Sequence, residues 1–168
     1  MRSASFCITL VLASSAVSAG GAAQQFASGY GGISWGMSVD DVIGMMPDGN
    51  LYFALPEGSR DYIVKNEEPL FGISRSGQTL QYHFGSDGGV DQIEVHIAYE
   101  NREELIGTMI SQFGTGYLKR DYGSTESRFW SVDGKTYVGL RVSREPRYGI
   151  AEFFVIHSTT KLPAAVAK

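Results

Sequence analysis

Apolar residues recur at helical spacing in two short stretches and alternate with polar ones along most of the remaining chain. In the first stretch Val39, Val42, Ile43 and Met46 fall at i, i+3, i+4 and i+7, one face of a helix. Ser38 is placed to cap it, Asp40 and Asp41 put negative charge in its first turn, and Pro47-Asp48-Gly49 ends it. In the second stretch Asn101 is the expected cap, Glu103 and Glu104 occupy the first turn, and Leu105, Ile106, Met109, Ile110 and Phe113 form the apolar side before Gly114 stops the helix. Laid over one another with Ser38 on Asn101, the two segments match in cap, acidic pair, branched apolar pair, glycine and methionine. A tandem repeat is the reading this suggests.

Strand patterns follow each helix. After the first they cover Tyr62 to Lys65, Leu70 to Ser74, Thr79 to Phe84 and Gln92 to Tyr99, separated by turns at Ser76-Gly77 and Ser86-Asp87-Gly88-Gly89. After the second they cover Glu126 to Ser131, Lys135 to Val142 and Gly149 to His157, with Asp133-Gly134 as a two-residue hairpin signal. Helix, antiparallel meander, helix, antiparallel meander predicts an α+β fold: two short helices packed on one face of a twisted antiparallel sheet, the other face partly open. Residues 33–158 form this single domain in the sequence reading, after a flexible leader at 20–32 rich in Gly, Ala, Gln and Ser and before a tail at 159–168. Two separate domains of roughly 60 residues would each be marginal for a core.

The segment Ile33-Ser34-Trp35-Gly36-Met37-Ser38 followed by Val42 resembles the Gly-Met-Ser/Thr-x-x-x-Val opening of small bacterial envelope proteins, among them the SmpA/OmlA outer-membrane assembly lipoproteins. In its order of elements the chain is also similar to the beta-lactamase inhibitory proteins, which carry a tandem helix-plus-sheet repeat. What the resemblance implies is a non-enzymatic protein-binding module.

The first residues add an address. Met1 and Arg2 precede an apolar run from Phe6 to Val17, shorter than the roughly 20 residues of a bilayer-spanning helix, and small residues follow through Ala23. This reads as a signal peptide over residues 1–19, cleaved after Ala19 or, as the second candidate, after Ala23. Cleavage removes Cys7, the one cysteine, which lies within the run rather than after it where an acylated cysteine would stand, so neither a disulfide nor a lipid anchor is expected. The expected location is periplasmic or secreted, with no membrane span. Fourteen Lys and Arg against 18 Asp and Glu, with a pI near 5.3, argue against a nucleic-acid partner.

Candidate chemistry is sparse. Gly32-Ile33-Ser34-Trp35-Gly36 spells the nucleophile-elbow pattern, but a Gly-rich leader precedes Ser34 where the elbow requires a buried parallel strand, so no catalytic residue is assigned. If the turn at 86–89 pairs Tyr82 with Ile93, then Gln81, His83, Gln92, Glu94 and His96 share the polar face of a hairpin. His83, Glu94 and His96 are the weak metal-ligand candidates, and no cofactor is expected. Around Asp133-Gly134 a two-residue turn pairs Trp130 with Tyr137, Arg128 with Gly139 and Glu126 with Arg141, leaving Phe129, Val138, Leu140 and Val142 for the core. Trp130, Tyr137, Arg128 and Arg141 then form the leading candidate surface, because rigid aromatics and guanidinium groups are enriched at protein-binding hot spots; Arg144, Arg147 and Tyr148 extend it. The expected function is an exported protein-binding module of inhibitor, immunity or envelope-assembly type, whose partner is another protein of the envelope or exterior. The alternative is a small-molecule or metal binder.

Overall fold

The structure, a computed structural model, describes residues 24–157. The expected signal segment, both cleavage positions, Cys7 and the tail at 159–168 lie outside the described residues. The chain runs through β1 (Gly29–Tyr30), β2 (Ile33–Ser34), α1 (Val39–Met45), β3 (Asn50–Phe53), β4 (Arg60–Lys65), β5 (Thr79–Phe84) and β6 (Val90–His96). It continues through α2 (Arg102–Phe113), β7 (Leu118–Tyr122), β8 (Thr125–Ser131), β9 (Thr136–Ser143) and β10 (Ala151–His157). β1 and β2 pair with each other, and the other eight strands form one antiparallel sheet in the order β3-β4-β5-β6-β10-β9-β8-β7. Each helix is thus followed by a four-stranded meander, and the two meanders join through their last strands, β6 and β10. The α+β class, with helices packed on a large antiparallel sheet, is as the pattern predicts.

Both helices form for local reasons. Ser38 Oγ accepts the Asp41 N–H at 3.2 Å, and Val42 is the residue α1 buries completely. Leu105 and Met109 are buried on α2, and Gly114 closes it with φ +82, a conformation that suits glycine. Asn101 does not cap α2 with its side chain; a 3-10 turn over Tyr99–Asn101 leads into the helix, and Asn101 Nδ2 donates to the Ser74 carbonyl instead.

The helices cover the face that carries Tyr62, Leu80, Tyr82, Ile93, Val95, Leu140, Phe153 and Val155, all buried in one cluster. Phe26 belongs to this core: it is fully buried, with the rings of Tyr30, Phe71, Phe113 and Phe153 at centroid distances of 5.3 to 6.4 Å. Burying such a ring is worth about 1.5–3 kcal/mol, so packed structure begins ahead of Ile33, inside the stretch expected to be a leader. Gly, Ala and Ser dominate that stretch by count, but two aromatic rings anchor it.

Three strand expectations change. Leu70 to Ser74 is a tight turn, in which Phe71 (φ +52) and Gly72 (φ +86) reverse the chain and Leu70 meets Ile73 in an isolated bridge. β3 and β7, the two sheet edges, carry no clear alternation in sequence. β7 presents Lys119, Arg120 and Asp121, charges that discourage pairing with another chain. β3 is apolar and open: Phe53 is 86% exposed, and Leu55 just beyond it 88%.

Candidate functional site

Strand register decides which side chains reach the face without helices. Pairing of Tyr82 with Ile93 holds as predicted, so Gln81, His83, Gln92, Glu94 and His96 all project to that open face. β10 brings Glu152 opposite His96 and Phe154 opposite Glu94, and β9 brings Arg141 opposite Glu152. A lateral row His96, Glu152, Arg141 therefore crosses the middle of the sheet, with Glu94 beside it. Phe129, Phe154 and Ile156 make a separate apolar cluster on the same face, with Leu118 at its margin.

The charged side chains are tightly coupled. Arg141 Nε donates to Glu152 Oε2 at 2.6 Å, and its Nη2 donates to Glu94 Oε1 at 3.2 Å. Gln92 Nε2 also donates to Glu94 Oε1, at 2.6 Å. The remaining oxygens point the other way: Glu94 Oε2 is 4.0 Å and Glu152 Oε1 is 3.9 Å from His96 Nε2. His96 Nδ1 is engaged on its far side by Thr79 Oγ1 at 2.9 Å. Burial pushes the Glu94 carboxyl above the usual glutamate range, against the pull of the Arg141 guanidinium. Burial works against the charge of Arg141 too, but Glu94 and Glu152 outweigh it and hold the guanidinium more firmly protonated.

Of the three metal-ligand candidates, the structure brings Glu94 and His96 together and leaves His83 apart. His83 Nδ1 lies 2.6 Å from Asp61 Oδ1, its direct cross-strand neighbour. Glu152 takes the third place, and the ligand atoms of Glu94, His96 and Glu152 all lie within 4.8 Å of one another. Nothing local marks Glu152 in sequence: it sits in the apolar run Ala151-Glu152-Phe153-Phe154-Val155-Ile156, and its pairing with β6 is made across 56 residues of chain.

The candidate surface around the last hairpin is divided between the two faces. Trp130 pairs with Val138, not Tyr137, and is 4% exposed in the core, where its Nε1–H donates to the Gly114 carbonyl at 2.9 Å. Arg128 pairs with Leu140 on that same side, its guanidinium 4.9 Å above the Tyr117 ring and 2.6 Å from Glu126. Tyr137 and Arg141 do reach the open face, although Tyr137 is 9% exposed. Beyond them, Arg144 pairs with Asp121, and Arg147 packs over Tyr148. The physical cause is the turn: four residues, 132–135, connect β8 to β9, with Asp133 Oδ1 accepting the N–H groups of Lys135 at 2.9 Å and Thr136 at 2.6 Å. A one-residue slip relative to the two-residue turn carries every β8 side chain to the opposite face.

Ser34 lies exposed in the two-residue strand β2, pairing with Gly29, rather than at the end of a buried parallel strand. Between the apolar cluster and the charged row lies a cavity of about 500 Å3, walled by Phe129, Phe154, Ile156 and Tyr122 and ending at Arg141 and Glu152. No helix among the described residues is long and apolar enough to cross a membrane. Compared with protein-family models, with curated proteins and with solved structures, the chain finds no match.

Proposed function

We propose that this chain is an exported bacterial protein-binding module that recognises another protein of the envelope or exterior with the helix-free face of its sheet. One observation supports this most: the middle of that face combines aromatic and aliphatic side chains (Phe129, Phe154, Ile156, Tyr122) with a guanidinium and two carboxylates (Arg141, Glu94, Glu152), next to a concavity. Rigid rings beside a bidentate cation are the composition of binding hot spots, and a sheet face has little side-chain entropy to lose on docking. The signal-like first residues and the resemblance to envelope proteins supply the address. The proposed centre of recognition is accordingly Tyr122, Phe154 and Arg141, in place of Trp130 and Arg128.

The test is crosslinked capture from the native envelope extract by tagged wild type and by a Tyr122→Ala/Ile150→Asp variant, which alters exposed or half-exposed positions of the face. Recovery of one specific protein by the wild type, and its loss with a folded variant, supports the reading. Equal recovery by both places recognition elsewhere on the molecule. The cavity favours a second reading, a small-molecule binder, because its volume of about 500 Å3 lies within the roughly 300–1,000 Å3 common for ligand sites. A ligand that raises the melting temperature of the wild type but not of Phe154→Ala would select that reading.

A further inference from the structure

Glu94 and Glu152 divide their carboxylate oxygens between Arg141 and His96. Each carboxylate gives one oxygen to Arg141 and turns the other toward the same point, where His96 Nε2 also points. That nitrogen is buried and makes no hydrogen bond, while Nδ1 of the same ring is engaged by Thr79. A hydrogen bond on Nδ1 is the usual device for orienting a metal-binding imidazole through Nε2, and hydrogen-bonded carboxylates are its counterpart among oxygen ligands.

We propose that Glu94, His96 and Glu152 form a divalent-cation site of zinc type, with Thr79, Gln92 and Arg141 as the residues that orient the ligands. One imidazole nitrogen with two carboxylate oxygens suits Zn2+ over Mg2+ or Ca2+, which favour oxygen-only shells. Ligand atoms about 2.0–2.2 Å from a tetrahedral ion lie about 3.3–3.6 Å apart. The carboxylate-to-imidazole separations of 3.9 and 4.0 Å exceed that spacing by only a few tenths of an ångström, and the three ligand atoms all lie within 4.8 Å of one another, within reach of side-chain rotation. Backbone placement is already fixed, since His96 and Glu152 are direct partners across β6 and β10 and Glu94 projects to the same face two residues before His96. Arg141 prevents the two carboxylates from repelling one another before the ion arrives. Three protein ligands leave a fourth position on the ion for water or for a donor atom of a docked molecule.

The test is titration of ZnCl2 into chelator-treated full-length protein by calorimetry, with Co2+ absorption as a second readout of a tetrahedral nitrogen-and-oxygen shell. One ion per chain is expected, with Mg2+ at the same concentration unable to compete. His96→Ala and Glu152→Gln should abolish binding, and Thr79→Val, which keeps all three ligands, should weaken it about ten- to a hundredfold. His83→Ala, on the same face but paired with Asp61, should bind as the wild type does. Absence of stoichiometric binding, or equal loss in His83→Ala and His96→Ala, overturns the proposal. Should His96→Ala fail to fold, the Co2+ spectrum of the wild type and the Thr79→Val affinity decide. Neither readout involves the protein partner, so failure here leaves the recognition reading standing, and the reverse.

Discussion

The Nε of Arg75 donates to the carbonyl oxygen of His96 at 2.9 Å, from a side chain that is itself 1% exposed. Its Nη2 donates to the Thr79 carbonyl at 2.7 Å, and its Nη1 serves Asn66 Oδ1 and the Glu68 carbonyl. One buried cation thus clasps the backbone of β5 and β6 at the point where the side chains of Thr79 and His96 meet on the opposite face. Charge-assisted hydrogen bonds are worth about 1.5–3 kcal/mol each, and those of Arg75 are part-buried. Arg75→Met is expected to cost about 2–4 kcal/mol, and Arg75→Lys less, since an ammonium meets only some of the same acceptors. Urea denaturation checks this as a lowered midpoint at unchanged slope.

Trp130→Ala separates two roles for the same ring. With Phe113 and Tyr117 packed on it at 6.0 and 5.1 Å and its indole N–H paired, removal is expected to destabilise the fold by about 3–5 kcal/mol. Whatever protein remains folded should keep its partner affinity. A stable, folded Trp130→Ala that loses capture would return this ring to the binding surface.

How much of this was legible depends on the range of the interaction that fixes each element. Ser38 with Asp40, Asp41 and Val42 defines α1 within four residues, and the turn at 86–89 sets the β5–β6 register, so those elements and the polar face with His83, Glu94 and His96 read directly. The β8–β9 turn did not, because Asp133-Gly134 fits a two-residue hairpin equally well until the Asp133 carboxylate is seen closing a four-residue loop. β9 kept its predicted faces and β8 lost them. Glu152 was invisible for another reason: β10 is buried on both sides along most of its length, so it shows no alternation, and only its pairing with β6 tells which residues face outward.

Glu126 supplies a pH signature. Burial alone would raise its carboxyl pKa, but Lys119 at 2.7 Å and Arg128 at 2.6 Å reverse the effect and hold it below the usual glutamate range. A carboxyl lowered in the folded state adds stability that is present above the unfolded pKa and is lost as pH falls through the folded one. Glu126→Gln is therefore expected to be less stable than wild type at pH 7 by about 1–3 kcal/mol. The gap should narrow below the ordinary glutamate pKa of about 4.3. Denaturation midpoints between pH 7 and 3 measure it, and a constant gap would disprove the assignment.

Gly139 lies directly against the Phe154 ring. A Cβ there would lie 2.3 Å from Cζ of Phe154 and 2.6 Å from the Arg128 carbonyl oxygen, so the ring that lies across the strand must move. Gly139→Ala is expected to cost about 1–3 kcal/mol and to enlarge or distort the adjoining cavity. Hydrogen exchange across β9 and β10, with solvent access to Phe129 as a second reporter, distinguishes this from a simple propensity effect.

The interior position of β10 bears on the order in which the molecule can be made. It is the last strand in the described chain, yet it lies between β6 and β9 and supplies the sole strand pairing between the two meanders. During synthesis from the N-terminus the two meanders cannot be joined until Ala151–His157 has emerged, and until then the edges of β6 and β9 that it covers are unpaired. A chain halted before that point lacks the strand that joins its two meanders. Ala151–His157 is therefore the segment whose pairing commits the two meanders to one sheet.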